Sequence, residues 1–170
     1  MPDFSIKVGE FVASEADDLG LVFYGAVHEG TAEFYSFEQR QAWMPKIPSG
    51  PNWASRLASQ MTVVARKNDL PVGFMTLDDS GYIDLAFVAP LHQRQGIGGL
   101  LYERIERLAR KKKMERLHSQ ASCLIRGLFE QRGWEIVCEQ QIERAGVTLT
   151  NFLMEKRLHD KAQRTGTATD

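Results

Sequence analysis

The sequence is poor in cysteine: Cys123 and Cys138 are the only two, and neither has the spacing of a metal ligand. Two cysteines provide no disulfide framework, so we expect a reducing, cytoplasmic location and interpret both as small core side chains. Long hydrophobic runs are also absent. The longest, residues 21–27, is too short to cross a bilayer, and residues 1–3 do not begin a signal peptide. We therefore expect no metal and no membrane partner.

The sequence also lacks an excess of charge of either sign, with 21 basic and 22 acidic residues. A balanced charge gives no general attraction to nucleic acid. The basic residues 110–113 end a predicted helix, where positive charge suits the helix dipole. A nucleic-acid-binding surface over residues 107–116 is the alternative, and it is weak because the positive charge is local. We expect no nucleic-acid partner.

Hydrophobic periodicity predicts one domain over residues 1–158, followed by a polar, disordered tail over residues 159–170. Alternation of apolar and polar residues predicts strands at residues 4–12, 61–66, 71–77, 82–88, 117–121, 135–143 and 147–156. Helical spacing predicts five helices. The first covers residues 15–28 and is capped by Ser14, the second is capped by Ser36 and stops by Met44, and the third is short and capped by Asn52. The fourth, the central helix, begins at Ile97, and the fifth is capped by Ser122 and ends at Gly133.

A glycine-rich loop, residues 92–101, is the feature around which this order is arranged. It follows the apolar strand at residues 82–88, which Pro90 closes, and it precedes the central helix. The first N–H groups of a helix lack intrahelical partners, and glycine lets an anion approach them closely. The dinucleotide fingerprint requires a third glycine where Leu101 stands, and the P-loop requires a Gly-Lys pair that the sequence does not contain. The loop therefore predicts a phosphate site of another type.

The segment Gln93-Arg94-Gln95-Gly96-Ile97-Gly98 fits the pattern Gln/Arg-x-x-Gly-x-Gly/Ala, and a strand ending in Val-x-Pro comes before it. This combination resembles the pyrophosphate loop of the GNAT superfamily of acyl-coenzyme A-dependent N-acetyltransferases. The order of predicted elements resembles that family as far as about Leu158. An ordinary strand-to-helix turn is the alternative reading of the loop.

The resemblance implies an α+β fold of three layers (αβα), in which helices flank a mixed, mostly antiparallel twisted sheet. It also implies that acetyl-CoA is the cosubstrate. Backbone N–H groups of the loop would hold its pyrophosphate, and the backbone of the preceding strand would pair with its pantetheine arm. An N–H near Leu85 or Ala86 would polarise the thioester carbonyl. The implied coenzyme-binding residues are Ala86, Phe87, Val88, Arg94, Gln95, Gly96, Ile97, Gly98 and Gly99.

Residues 129–134 resemble the family signature Tyr-x-x-x-Gly-Phe, in which the tyrosine often protonates the departing thiolate. Phe129 stands at that position and has no proton to give. This departure favours either another proton donor, with Tyr82 or Ser122 as candidates, or release of the thiolate to water. It also leaves open a coenzyme A-binding protein without transferase activity.

Two residues are candidates for the base that takes a proton from the acceptor ammonium. Asp84 is on the coenzyme strand, where alternation predicts that it shares a face with Tyr82, Ala86 and Val88, opposite Leu85 and Phe87. His118 is on the neighbouring strand and titrates in a useful range. A structural carboxylate and a core or surface histidine are the alternatives. All four catalytic candidates are thus Asp84, His118, Tyr82 and Ser122.

The acceptor is expected to be a small-molecule or peptide amine. The aromatic-rich residues 34–53 either pack the short helices onto the sheet or line the acceptor pocket. The predicted C-terminal hairpin leaves a sheet edge, and pairing with a second copy is one way to cover it, so a homodimer is expected.

Overall fold

Two antiparallel sheets carry the strands of the computed structural model, which describes residues 5–158. The first sheet has the order β1-β2-β3-β4 and the second the order β5-β7-β6. Phe4 and the tail at residues 159–170 lie outside the described residues. The strands are β1 (Ile6–Glu10), β2 (Met61–Lys67), β3 (Leu70–Leu77), β4 (Ala86–Val88), β5 (Arg116–Ala121), β6 (Glu135–Arg144) and β7 (Val147–Arg157).

The two sheets meet at one parallel bridge between Tyr82 and His118. The N–H of Ile83 donates to the carbonyl of His118 at 2.9 Å, and the N–H of His118 donates to the carbonyl of Gly81 at 3.0 Å. Beyond this bridge β4 and β5 are not paired with each other, so a cleft opens between them. The predicted α+β fold with a mixed, mostly antiparallel sheet is confirmed.

Helices cover both faces of the sheets and enclose two separate apolar cores. Helices α4 and α5 pack through residues such as Leu101 and Phe129 on one face, and α1 and α3 pack through Leu19 and Leu57 on the other. The helices are α1 (Ala16–Gly25), α2 (Phe37–Trp43), α3 (Gly50–Ala58), α4 (Ile97–Lys111) and α5 (Arg126–Gln131). A short π-helical segment, Ala26–Gly30, extends α1.

The predicted helix starts are correct in one case and wrong in others. Ser36 caps α2 as predicted, with Gln39 completing the capping box. Ser14 lies inside a 3₁₀ turn, Ala13–Glu15, before α1, and α3 begins ahead of Asn52, with Ser49 as its N-cap. Helix α3 can begin before Asn52 because Pro51 lies in its first turn, where a backbone N–H would have no intrahelical partner.

The prediction that both cysteines are core residues is wrong for Cys138, which is exposed on β6. Strand β6 is an edge strand, and most of its residues are exposed, so its apolar alternation does not imply burial. Cys123 is partly buried against the core.

Within residues 5–158 no helix has the length and apolar character needed to cross a membrane. In the same range no three His, Cys, Asp or Glu side chains are grouped so that they could hold a metal ion.

Candidate active site

The glycine loop forms an anion-binding cradle at the start of α4. Arg94 and Gly96 both have left-handed backbone conformations, with φ of 62° and 80°, and Gly96 is the N-cap of this 15-residue helix. The N–H groups of the first helical turn therefore point away from the helix body, where the helix dipole favours negative charge. A methyl group added to Gly96 would meet nothing within 4 Å, so no other part of the described chain covers the loop at this residue.

The edge of β4 faces the cleft with alternate backbone groups. The N–H of Thr76 donates to the carbonyl of Leu85, and the N–H of Ala89 donates to the carbonyl of Val72. Because antiparallel pairing alternates, Ala86 turns its N–H and carbonyl to the opposite edge, toward the gap with β5. The N–H of Leu85 donates to Oγ1 of Thr76 at 3.0 Å. Of the two predicted thioester-binding N–H groups, the available one is thus that of Ala86.

A cavity of about 320 Å³ lies beside this edge, between β4, the helices α1 to α3, and the β6–β7 hairpin. One part of its wall is aromatic and contains Phe23, Tyr35, Trp43, Trp53 and Phe87. The other part is polar and contains Arg56, Tyr82, Asp84, Gln120, Ser122 and Asn151. The volume is at the lower end of the range for small-molecule sites, about 300–1,000 Å³.

A bulge before β4 places Asp84 in this wall. Thr76 pairs with Leu85, whereas the next paired residue, Asp78, bonds to Tyr82. Ile83 and Asp84 therefore lie together opposite Leu77, and the bulge reverses the alternation. The predicted face of Asp84 is wrong for this reason: Asp84 bonds to Arg56 of α3 on the side where Leu85 and Phe87 pack, whereas Ala86 and Val88 pack against the other core. Tyr82 and Ala86 nevertheless line the same cavity as Asp84.

Asp84 is paired with Arg56 from α3. Two guanidinium nitrogens of Arg56 donate to the carboxylate at 2.9 to 3.1 Å, and Gln60 Nε2 lies 3.2 Å from Oδ2. Arg56 is about half exposed, so this ion pair adds little stability. It fixes the orientation of the carboxylate at the cavity wall.

Tyr82 shares the wall with Asp84 and is half buried. Burial and the neighbouring Asp84 carboxylate raise the pKa of Tyr82, and its hydroxyl interacts with the backbone N–H of Gln120. A raised pKa keeps the phenol in its neutral form, which can donate a proton. Tyr82 therefore presents a neutral phenol at the cavity wall.

His118 and Ser122 are in different surroundings. His118 lies outside the cavity, with its ring 5.1 Å from that of Tyr82 and Nε2 3.4 Å from Oγ of Ser80. Ser122 lines the cavity, and its Oγ accepts the N–H of Ile125 at 3.4 Å. The prediction that Ser122 caps α5 is wrong, because Ile125 is the N-cap of that helix. The structure brings Asp84, Tyr82 and Ser122 into one wall and separates His118 from them.

Phe129 is fully buried and lies in the core instead of the cavity wall. Its ring stacks on Trp134 at 4.2 Å and tilts against Tyr102 at 6.1 Å. The segment 129–134 thus packs α5 beneath the sheet.

Tyr35 lines the cavity, although the local sequence pattern indicates no specific role for it. Its hydroxyl donates to the carbonyl of Thr150 at 2.7 Å and accepts the N–H of Cys123 at 3.0 Å. Strand β5 ends at Ala121, opposite Phe152, so these backbone groups lie beyond the end of the ladder and take a side chain as their partner. Tyr35 therefore fixes the turn before α2 to the floor of the cavity. No local pattern indicates such a contact over 115 residues of sequence.

Comparison with known proteins agrees with this geometry. Residues 28–158 match the sequence profile of the acetyltransferase (GNAT) domain. The chain is 30% identical over 150 residues to an "Uncharacterized N-acetyltransferase YafP" of Escherichia coli (strain K12), and the match covers 88% of this chain and 95% of that protein.

Two solved structures are similar to this one. A GCN5-related N-acetyltransferase of Rhodopseudomonas palustris, also described as "Aminotransferase, Class-II", has a TM-score of 0.84 and 27% identity, over 91% of this chain and 96% of the other. The putative acetyltransferase yncA of Salmonella typhimurium, solved with its cofactor acetyl-CoA, has a TM-score of 0.72 and 14% identity, over 92% and 96%. At 14% identity, the similarity to the Salmonella typhimurium structure shows only a common fold.

Proposed function

The chain belongs to the GNAT family of acetyltransferases, and from this premise we propose that it transfers the acetyl group of acetyl-CoA directly to a primary amine bound in the cavity beside β4. The observation that carries the proposal is the continuity of three parts: the anion cradle at Gly96, the free edge of β4, and the cavity that contains Asp84 and Tyr82. Together they provide a place for the phosphates, for the thioester arm and for an acceptor.

The coenzyme would lie along the loop and the edge of β4. The backbone from Arg94 to Gly99 would bind the pyrophosphate. Arg94 is free to approach it, because its exposed side chain makes only a loose ion pair with Glu33 at 3.7 Å. The backbone of Ala86 to Val88 would pair with the pantetheine arm. The N–H of Ala86 would then donate to the thioester oxygen as negative charge develops there.

Transfer consists of one substitution and two proton movements. The amine nitrogen attacks the thioester carbon, the nitrogen–carbon bond forms, and the carbon–sulfur bond then breaks. Asp84 would take the amine proton through a water molecule, because it is the one carboxylate among the described residues of the cavity wall. Tyr82, or with less direct support Ser122, would return a proton to the thiolate.

A second candidate is a coenzyme A-binding protein of the same fold without transferase activity, and Phe129 is the observation that favours it. The two are separated by measuring release of coenzyme A from acetyl-CoA across a panel of primary amines. Turnover with any amine supports transfer. Binding of acetyl-CoA without turnover throughout the panel supports the second candidate.

The proposed base is tested in the same assay with Asp84→Asn. We expect the variant to lower kcat by about tenfold to a hundredfold and to leave coenzyme affinity unchanged, because general base catalysis contributes at least about a hundredfold and solvent can partly replace it. Asp79→Asn is the matched control, since Asp79 is an exposed aspartate outside the cavity. An unchanged kcat for Asp84→Asn would remove Asp84 from the mechanism.

A further inference from the structure

Asn151 presents an unpaired hydrogen-bond acceptor at the cavity. It lies on β7 in the cavity wall and is 9% exposed. Within residues 5–158 its Oδ1 is buried and has no hydrogen-bond partner. A buried carbonyl oxygen without a donor is costly, so such an atom in a cavity wall indicates a ligand that donates to it.

A second unpaired acceptor lies directly across the ladder from the first. Gln140 on β6 is the register partner of Asn151, and among the described residues its Oε1 is likewise buried without a partner. Opposite residues of neighbouring strands have Cβ atoms about 4.5–5.5 Å apart. Gln140 is not one of the residues that line the cavity, so Asn151 is the unpaired acceptor there and requires an N–H or O–H donor.

Positive charge lies farther out on the same hairpin. Arg144 lines the cavity and is four residues from Gln140 on β6, about 13 Å along the strand. Between them the apolar pair Ile142 and Leu149 forms the wall. The other guanidinium in the wall, that of Arg56, is bound to Asp84. Arg144 is thus the charge left to bind an anion.

The strand register gives the order of these groups. Tyr82 is level with His118 across the bridge, and the bulge at Ile83 and Asp84 adds one residue to that strand, so Ala86 lies near the end of β5, at the level of Ala121 and Ser122. Ala121 pairs with Phe152, so Ser122 is level with Asn151. An acceptor that extends outward from the proposed thioester position therefore contacts Asn151 first and Arg144 second.

We propose that the acceptor is a short peptide, presented by its N-terminal amine, whose peptide N–H donates to Asn151 Oδ1 and whose terminal carboxylate binds Arg144. This inference rests on the proposed function, which supplies the position of the reacting amine. An amine, an N–H donor and a carboxylate follow one another in a dipeptide in the order that the wall requires. The aromatic wall around Trp43 and Phe87 favours an aromatic first residue. A polyamine lacks the anion and would bring positive charge to Arg144.

The test uses three related probes: the dipeptide Phe-Gly, its C-terminal amide, and the ester analogue in which oxygen replaces the peptide N–H. Calorimetric titration into protein saturated with coenzyme A measures binding without turnover. We expect Phe-Gly to bind about tenfold more tightly than either analogue, because each analogue loses one hydrogen bond made in the site.

Variants assign each preference to its residue. Arg144→Ala should remove the preference for carboxylate over amide and keep that for N–H over ester. Asn151→Leu should remove the preference for N–H over ester and keep that for carboxylate over amide. Asn151→Asp, which keeps an acceptor oxygen, should retain both preferences. Arg107→Ala is the control, because Arg107 is exposed on α4, away from the cavity. Thermal unfolding of each variant checks that it is folded.

Equal affinity for the three probes, no binding of Phe-Gly, or preferences that these variants do not change would each overturn the inference. The proposed function has its own readout, release of coenzyme A. Binding preferences without turnover would refute transfer and leave the peptide site standing. Turnover of other amines without these preferences would refute the peptide site and leave transfer standing.

Discussion

Replacing Tyr35 with phenylalanine should destabilise the protein through two backbone groups that lose their partner. The ring is 4% exposed, and its hydroxyl joins the carbonyl of Thr150 to the N–H of Cys123. Phenylalanine keeps the ring and its contact with Trp43 at 5.6 Å. The loss is therefore confined to hydrogen bonding and includes little packing.

The magnitude follows from the two groups left unpaired. Each buried polar group without a partner costs about 1–3 kcal/mol. Thr150 and Cys123 are only partly buried, so the lower part of that range applies. We expect the free energy of unfolding to fall by about 2–4 kcal/mol and Tm by about 4–16 °C, at about 2–4 °C per kcal/mol for a protein of this size.

Urea and thermal unfolding of Tyr35→Phe measure the loss, with Tyr24→Phe as the control. The ring of Tyr24 lies 4.2 Å from that of His28 and is tilted against it, and no hydrogen bond of the Tyr24 hydroxyl is present within the described part of the chain. The control should differ from the parent by less than about 0.5 kcal/mol. A Tyr35→Phe protein as stable as the control would show that this hydroxyl does not hold the turn before α2 to β7.

Four further predictions concern the loop, the core, an ion pair and assembly. Gly96→Asn, which tolerates a left-handed conformation, should weaken acetyl-CoA binding about tenfold by calorimetry, whereas Gly146→Asn in the hairpin turn should not. Phe129→Tyr should lose about 1–3 kcal/mol in urea unfolding and gain no activity, because its hydroxyl enters the core. Glu15→Gln should lose about 1–3 kcal/mol at pH 7 and progressively less as pH falls below 4.5, because the hydrogen bond from Arg66 lowers the pKa of Glu15 and its stabilisation is lost as pH falls through that lowered pKa. Light scattering at micromolar concentration should show a dimer, with the exposed strand β6 as the expected contact.

For the predictions on the loop, the core and assembly, the following results would contradict the physical argument. Unchanged coenzyme affinity in the Gly96 variant would mean that the loop is only a turn. A faster Phe129→Tyr enzyme would place that ring beside the sulfur and restore the missing acid. A strict monomer would leave the edge of β6 to be protected by its own charged side chains.

The parts of the fold that local chemistry determines were predictable. Ser36 and Gln39 form the predicted capping box, and Gly133 takes the predicted left-handed conformation after α5. The glycine loop also lies where its pattern predicts, between β4 and α4. These features depend on contacts within a few residues, so the sequence contains all that is needed to recognise them.

The parts of the site that tertiary contacts determine were not predictable. Alternation placed Asp84 on the wrong face because the bulge depends on how β3 pairs with the turn that precedes β4. The pairing of Asp84 with Arg56 joins residues 28 apart in sequence. Cys138 looked buried because apolar neighbours on an edge strand resemble those of a central strand. Each of these features depends on how separate elements of the chain pack together, which a local sequence pattern does not contain.

We propose that acetyl-CoA bound at the glycine loop gives its acetyl group to an amine in the adjacent cavity. The most direct test incubates the protein with acetyl-CoA carrying an isotopically labelled acetyl group and a panel of primary amines that includes Phe-Gly, and identifies products by mass spectrometry. We predict an N-acetylated amine that carries the label, formed in proportion to the coenzyme A released and greatly reduced in the Gly96→Asn variant. Label that stays on the coenzyme with every amine, although acetyl-CoA binds, would contradict the claim.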